Sequence, residues 1–293
     1  MIDVIVPVFN NYELTRGCLD SVLRWTTDTP YRLIIVDDKS TDKKTRALEK
    51  NYARKHKQII LLAQKKNQGF LRAVNHGMRY SKNDVVLLNN DTLVTAGWLR
   101  KLRAAAYSRV NIASASALSN NSTITTVPGY FQHGQIPDFF TLDEMAAFVE
   151  KHSLKLYPEI PTAMGFCLYI KRAALRTVGY YDEIFDRGLC EENDWSLRAR
   201  AAGWTHVMDD TTYIWHKGRG SLGKKLKTPY RDRNKKILLE RYPDYDRQIK
   251  TYIRRRTNYR INRHLKWELF KQRLARLLLA FAEVLHGGRR KRN

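Results

Sequence analysis

The first 110 residues repeat one unit: an apolar, β-branched run, a polar turn, then a longer segment of helical periodicity. The runs are DVIVPVF from Asp3, RLIIVDD from Arg32, QIILLA from Gln58 and DVVLLN from Asp84. Helical stretches fall around Leu14 to Trp25, Lys43 to Lys57 and Gly69 to Tyr80, with another after Gly97. Nearly continuous apolar strands alternating with helices build a parallel sheet covered on both faces. The expected class is therefore α/β, with a Rossmann-like, mostly parallel sheet flanked by helices. In such sheets ligands sit outside the carboxyl ends of the strands. Three of these runs end in polar clusters, Asn10-Asn11, Asp37-Asp38 and Asn89-Asn90-Asp91, which should line one crevice. Asn and Asp also follow strands for backbone reasons alone. Asp91 is open to a sharper reading, as a carboxylate that grips a metal ion and the phosphates it carries.

From Asn111 to about Pro161 the pattern gives way to a polar excursion with a helix around Leu142 to His152. An excursion of that length is more often functional than a packing element. A strand-like AMGFCLYIK, a helix near Ala173 to Val178 and the acidic CEENDWSLRARAAGW come next, and from Tyr230 onward helices and basic residues dominate. The chain is thus expected to divide into a catalytic-type unit, residues 1–229, and a basic helical extension, residues 230–293.

The formal net charge is +24, and residues 231–293 carry 20 Lys and Arg against 6 Asp and Glu. Such asymmetry points to an acidic partner, either nucleic acid or an anionic membrane leaflet. The last helix places Trp267, Phe270, Leu274, Leu277, Phe281 and Leu285 three or four apart among Lys266, Lys271, Arg273 and Arg276. That stripe suits a helix lying in an anionic leaflet, or one packed on the rest of the chain or on a second subunit of a homo-oligomer. No nucleic-acid-reading motif accompanies the charge, which weighs against nucleic acid. Cys18, Cys167 and Cys190 have no metal-ligand spacing and suit core thiols in a reducing compartment. The start at Met1-Ile2-Asp3 has no signal-peptide pattern, and no apolar run reaches membrane-spanning length. A cytoplasmic location, peripheral on the inner face of the membrane, is expected.

In order along the chain, VIVPVFN, IIVDDKSTD, NQGFLRAVNHGM, LLNNDT, GFCLYIKRAAL, GYYDEIF, CEENDWSLRARAAGW and WHKGRGS resemble the motifs of family 2 of the inverting glycosyltransferases, over roughly residues 2 to 222. The resemblance implies a GT-A fold and a rhamnosyltransferase-like, polysaccharide-biosynthesis enzyme. It implies that Asp37 and Asp38 hold the nucleotide of the donor, with Pro7, Phe9 and Asn10 beside them and Phe9 stacking on the base. A strand terminus with an Asx turn remains a simultaneous reading of the two aspartates. Asn67 and Gly69 open a helix where backbone can approach a ligand closely.

Asn90 and Asp91 match the end of the family's Asp-X-Asp metal motif, with Asn89 and Asn90 where other carboxylates stand, so one carboxylate remains. The resemblance implies a divalent cation, Mn²⁺ or Mg²⁺, and His216 as its distant ligand; Mg²⁺ commonly takes few protein ligands. Lys217 and Arg219 would close over the phosphates. The acidic segment supplies the family's base, and Glu192 matches it most closely. Glu191 and Asp194 would hold the acceptor or the helix, and carboxylates in a first turn also stabilise a helix dipole. The function implied is metal-dependent, inverting transfer of a hexosyl or deoxyhexosyl group from a nucleotide sugar (UDP-, dTDP- or GDP-linked) to a glycan or lipid-linked acceptor. Alternatives are transfer to a soluble or protein acceptor, and a non-catalytic nucleotide-binding domain whose basic tail binds nucleic acid.

Overall fold

The computed structural model describes residues 1–127, 134–218, 224–255 and 259–289, without the side chains of 224–228 and 280–289. The chain begins β1 (Ile2–Val8), α1 (Tyr12–Trp25), β2 (Tyr31–Asp37), α2 (Lys43–Lys55), β3 (Ile59–Ala63), α3 (Phe70–Tyr80) and β4 (Asp84–Leu88). The expected strands and helices of this half are therefore present. All seven residues of β1 are buried, which is why it reads as an unbroken apolar run rather than an alternating one. Helix α2 starts where the Asp42 carboxylate accepts from the amides of Lys44 and Thr45, satisfying donors that the first turn leaves free.

Then follow β5 (Thr92–Leu93), α4 (Trp98–Tyr107), β6 (Ile112–Ser119), α5 (Leu142–His152), β7 (Glu159–Ile160), β8 (Cys167–Ile170), α6 (Arg172–Val178), α7 (Glu191–Ala201) and β9 (Thr205–His216). The sheet runs β3-β2-β1-β4-β8-β6-β9-β5, with β7 on β9. Strands β3, β2, β1 and β4 are mutually parallel, as are β6 and β9, whereas β8 lies antiparallel between β4 and β6. Strand order reverses between β1 and β4, so the loops leaving their carboxyl ends diverge and open a crevice there.

Two longer strands go beyond what the sequence pattern shows. Every residue of β6 is buried, but its IASASALS composition is small rather than β-branched. In β9 the polar Asp209-Asp210-Thr211-Thr212 masks a strand of 12 residues. Asp209 accepts from the hydroxyls of Thr211 and Thr212, and Asp210 from Ser153 and from the amides of Leu156 and Tyr157. The polar run is thus buried without orphaned carboxylates.

Helices α8 (Lys224–Arg241), α9 (Tyr245–Arg254) and α10 (Tyr259–Arg289) complete the described chain. Leu238 and Tyr245 are buried in the same cluster as Ile5, Val36 and Leu87 of the sheet, and Ile261, Leu265 and Leu269 join Phe148 of α5 and Tyr213 of β9. The division expected at residue 229 is therefore not a packing boundary. In α10, however, Trp267, Phe270, Leu274 and Leu277 stay exposed beside the buried Ile261, Leu265 and Leu269.

Helix α3 crosses β1 so closely that a Cβ on Gly77 would lie 2.5 Å from Ile5 Cγ2 and 3.3 Å from Val36 Cγ2. Gly77→Ala should therefore destabilise the fold by about 1–3 kcal/mol, the usual range for overpacking, even though Ala is the better helix former. A urea unfolding midpoint equal to or above the parent's would show that the contact yields freely.

Candidate active site

Beyond β1 the chain turns through two left-handed asparagines, Asn10 (φ 59°) and Asn11 (φ 62°). The Asn10 side chain accepts from the amides of Thr41 (2.8 Å) and Asp42 (2.9 Å), while its own amide donates to Ser40 Oγ. It therefore ties the end of β1 to the end of β2. Asp37 turns inward and accepts from the Ser40 amide at 2.7 Å, an Asx turn of the kind that strand ends adopt.

Asp38 faces a cavity of about 400 Å³ that is also lined by Pro7, Phe9, Asn67, Gly69, Asn90 and Arg187. Its two carboxylate oxygens accept from the amides of Gln68 (2.7 Å) and Gly69 (2.8 Å) at the start of α3. Burial pushes the Asp38 carboxyl above the usual range, against those two hydrogen bonds and the Arg187 guanidinium. Each oxygen keeps acceptor capacity for a further donor. Gly69 has φ 89°, and a Cβ there would come 3.3 Å from Arg187 Cδ; here backbone conformation and close approach both favour glycine.

The antiparallel register of β5 on β9 sets Thr92 opposite His216. Asp91, one residue earlier, is thereby brought beside the imidazole: His216 Nε2 lies 3.4 Å from Asp91 Oδ1. His216 Nδ1 is 2.7 Å from the carbonyl oxygen of Asn121. A carbonyl can only accept, so Nδ1 donates to it, and Nε2 is the ring nitrogen that faces the carboxylate. The ring stacks on Phe166, with centroids 5.0 Å apart and planes 14° from parallel. An imidazole nitrogen with its tautomer fixed from behind and one carboxylate oxygen form a donor set that Mn²⁺ or Mg²⁺ can share with phosphate and water. Asn90 donates to Thr15 Oγ1 and the Lys217 amide to the Asp91 carbonyl, fixing the turn from both sides. The Lys217 side chain is exposed, and Arg219 lies outside the described residues. Gly218, at φ 69°, sits against Asn121 where a Cβ would meet its amide nitrogen at 1.6 Å.

A second cavity of about 560 Å³ adjoins the first and shares Phe70, Arg187 and Tyr230 with it. His216 lines one side of this cavity and Glu191 and Glu192 another. The two acids open α7 after four consecutive left-handed residues: Arg187 (φ 63°), Gly188 (φ 86°), Leu189 (φ 72°) and Cys190 (φ 76°). This strained turn is held by one side chain of α8. Asn234 Nδ2 lies within hydrogen-bond distance of the carbonyls of Asp186 (3.2 Å), Gly188 (2.8 Å) and Leu189 (3.1 Å).

Glu191 and Glu192 stand side by side in the first turn of α7, and burial disfavours charge on both. Burial, then the charge of Glu192, pushes Glu191 well above the ordinary carboxyl range; burial also raises Glu192, but its bond to Glu191 opposes the rise. Of the two, Glu191 is pushed the further toward its neutral form. Glu192 Oε2 has no protein partner among the described residues, and Gly165 stands where even a Cβ would remain 3.7 Å from its carboxyl carbon.

Asp194 does not join them. It is fully buried and accepts from Arg198 Nε (2.8 Å) and Arg241 Nη1 (3.0 Å), tying α7 to α8. Of the two roles open to it in the sequence, the structure shows holding the helix. Arg187, Asn121, Tyr230 and Asn234 were not singled out by sequence reasoning. The Arg-Gly pair just before an acidic helix start was a usable signal for Arg187; the others are isolated polar or aromatic residues without periodicity or motif.

The model of the family described as Glycosyl transferase family 2 matches residues 3–179. A poly(ribitol-phosphate) beta-glucosyltransferase of Bacillus spizizenii is 32% identical over 88 residues, 29% of this chain and 14% of that protein. The chain thus matches only a small part of that relative's length. Among solved structures, the mannosyltransferase PcManGT from Pyrobaculum calidifontis, in complex with GDP-Man and Mn²⁺, superposes with a TM-score of 0.57 at 17% identity, covering 97% of this chain and 79% of that one. GalNAc-T7 with UDP, GalNAc and Mn²⁺ gives a TM-score of 0.56 at 17% identity, over 74% of this chain and 44% of that one. These likenesses show the fold, a mixed α/β sheet of the GT-A type.

The raised carboxyl of Glu191 has a consequence for stability. The folded chain keeps a proton that the unfolded chain releases near the ordinary value of 4.5. Its contribution is therefore complete below that pH and is lost as pH rises toward the folded value. Glu191→Gln keeps a hydrogen-bond donor and cannot ionise. Its stability relative to the parent should grow between pH 4 and pH 8 in urea unfolding, because the amide stays neutral at every pH; a difference that stays flat with pH would remove the buried proton from this pair.

Proposed function

Because the chain belongs to glycosyl transferase family 2, we propose that it transfers a sugar from a nucleotide-sugar donor to a hydroxyl of a glycan or lipid-linked acceptor, with inversion at the anomeric carbon. The observation that carries this reading is that His216, paired with Asp91, and Glu192 line one cavity that adjoins the crevice at the strand-order reversal of the sheet.

The nucleotide occupies the crevice, where Asp38 accepts from the base or ribose and Phe9 offers a face for stacking. Asp91 and His216 would hold a divalent cation, which supplies charge neutralisation to a diphosphate when bound. The Mn²⁺ named with both solved relatives supports that choice. Arg187 and Lys217 add positive charge near the leaving diphosphate. Glu192 takes the proton from the acceptor hydroxyl, whose oxygen attacks the anomeric carbon opposite the diphosphate. One carbon–oxygen bond forms as the sugar–phosphate bond breaks, so configuration inverts without a covalent enzyme intermediate.

The name of the Bacillus relative supports a cell-surface polymer as acceptor. No helix among the described residues is long and apolar enough to cross a membrane. Helix α10 nevertheless exposes Trp267, Phe270, Leu274 and Leu277 among Lys266, Lys271 and Arg273, a composition that fits the surface of an anionic leaflet. On this reading the enzyme works at the cytoplasmic face of a membrane.

Glu192→Gln should lower transfer by the roughly 10² to 10⁴ fold that general-base catalysis supplies while leaving Mn²⁺-dependent stabilisation by a nucleoside diphosphate intact. Asp91→Asn should show the opposite separation, losing that thermal shift. Parental turnover in the first variant would refute the base, and a parental shift in the second would refute the cation site.

The membrane reading makes its own demand. Trp267→Ser with Phe270→Ser should abolish flotation of the full chain with vesicles containing anionic lipid and leave transfer to a soluble acceptor unchanged. Equal flotation of parent and double variant would sink it.

A further inference from the structure

The strongest unassigned chemistry lies beside the core cluster of Ile261, Leu265, Leu269 and Phe148, where α10 packs on α5. His264 and Glu268 stand one turn apart on α10, a spacing that puts both on one face. Ile261, Leu265 and Leu269 of the same helix are buried in the cluster that holds Phe148 and Val149 of α5, so the core sets that face against α5. His152, the last residue of α5, completes the group. One ligand atom from each of His152, His264 and Glu268 lies within 4.8 Å of the other two, and all three side chains are half-buried.

We propose that His152, His264 and Glu268 form a binding site for a divalent transition metal of the Zn²⁺ class, which clamps the root of α10 to α5. His152 Nδ1 lies 3.4 Å from Glu268 Oε2. Tetrahedral Zn²⁺ with bonds of about 2.0–2.1 Å places neighbouring donors ~3.3 Å apart, so that pair already has the spacing of two ligands on one ion. Two imidazoles and one carboxylate favour Zn²⁺, Co²⁺ or Ni²⁺ over Mg²⁺ and Ca²⁺, which prefer oxygen. The neighbours are arranged to orient the donors. Lys271 Nζ holds Glu268 Oε1 at 2.7 Å and leaves Oε2 for the metal. The His152 ring packs on Phe148 with centroids 4.6 Å apart.

The site shares no lining residue with the two cavities of the proposed active site. It opens instead into a separate surface cavity bounded by Phe148, His152, Glu268, Lys271 and Arg276. Metal here would take no part in sugar transfer. It would fix the direction in which α10 leaves the domain, and with it the exposed face of Trp267 and Phe270.

The test titrates Zn²⁺ alone into the full chain carrying Asp91→Asn and His216→Ala, so that the donor-side pair cannot contribute. One equivalent should bind, and Co²⁺ in its place should give the intense visible bands of a four-coordinate ion. Adding His152→Ala or His264→Ala should weaken Zn²⁺ binding by more than the roughly 10- to 100-fold that loss of an outer-shell partner costs. Glu268→Gln, nearly isosteric, guards against a result caused by misfolding and should also weaken binding. Lys271→Ala should weaken it by no more than roughly that 10- to 100-fold, since only the partner that orients Glu268 is lost. Unchanged Zn²⁺ affinity in the histidine variants, or no binding by the parental trio, would reduce the group to an ordinary His–Glu ion pair and overturn the proposal.

Discussion

One amide holds the catalytic side of this fold in place. Asn234 Nδ2 faces three carbonyls of the turn that precedes α7, and that turn carries three non-glycine residues in left-handed conformation. Such residues cost on the order of 1–3 kcal/mol each and persist only where surrounding structure over-determines them. The turn aims Arg187 at the junction of the two cavities and sets Glu191 and Glu192 at the wall of the larger one. Asn234 itself is fully buried, supported by Leu238 one turn later in the same core. The helix that the charge pattern sets apart as an extension is therefore the element that positions the acids.

This arrangement also explains how the site divides along the chain. The match to the family ends at residue 179, within which lie Asp38, Asn67, Gly69 and Asp91. Glu191, Glu192 and His216 lie beyond it, as do the Arg187 turn and its Asn234 support. The first group depends on the parallel sheet, whose strand ends fix backbone geometry whatever the side chains. The second depends on a long β9 that returns His216 to Asp91, and on α8 packing behind α7.

Legibility in the sequence follows the same line. Strands β1 to β4 could be read because burial on both faces demands continuous β-branched residues. Strand β6 could not, because Ala and Ser carry no such signature even when fully buried, and in β9 only the apolar TTYIW before His216 reads as strand, because Asp209 and Asp210 are satisfied by partners that no sequence pattern marks. Asp38, Asp91 and His216 stood out in the sequence through the order of motifs, and the structure sets Asp91 beside His216 and Asp38 on the crevice. Arg187 and Asn234 act through backbone carbonyls and a turn conformation, which leave no periodic trace. The division at residue 229 followed charge, and charge reports only the solvent face of a helix whose other face is core.

Two close pairs of ionisable groups flank the proposed site. Asp91 Oδ1 and His216 Nε2 stand 3.4 Å apart, a spacing at which a divalent cation could take one atom from each. Glu191 and Glu192 open α7 together, and desolvation disfavours charge on both carboxyls, so the pair takes up a proton more readily than an exposed pair does. Glu191 is pushed the further toward its neutral form, which favours Glu192 as the member that carries charge. On the proposed mechanism, a proton taken there from an acceptor hydroxyl relieves the cost of a charge held out of water, so the burial that disfavours the carboxylate also strengthens it as a base.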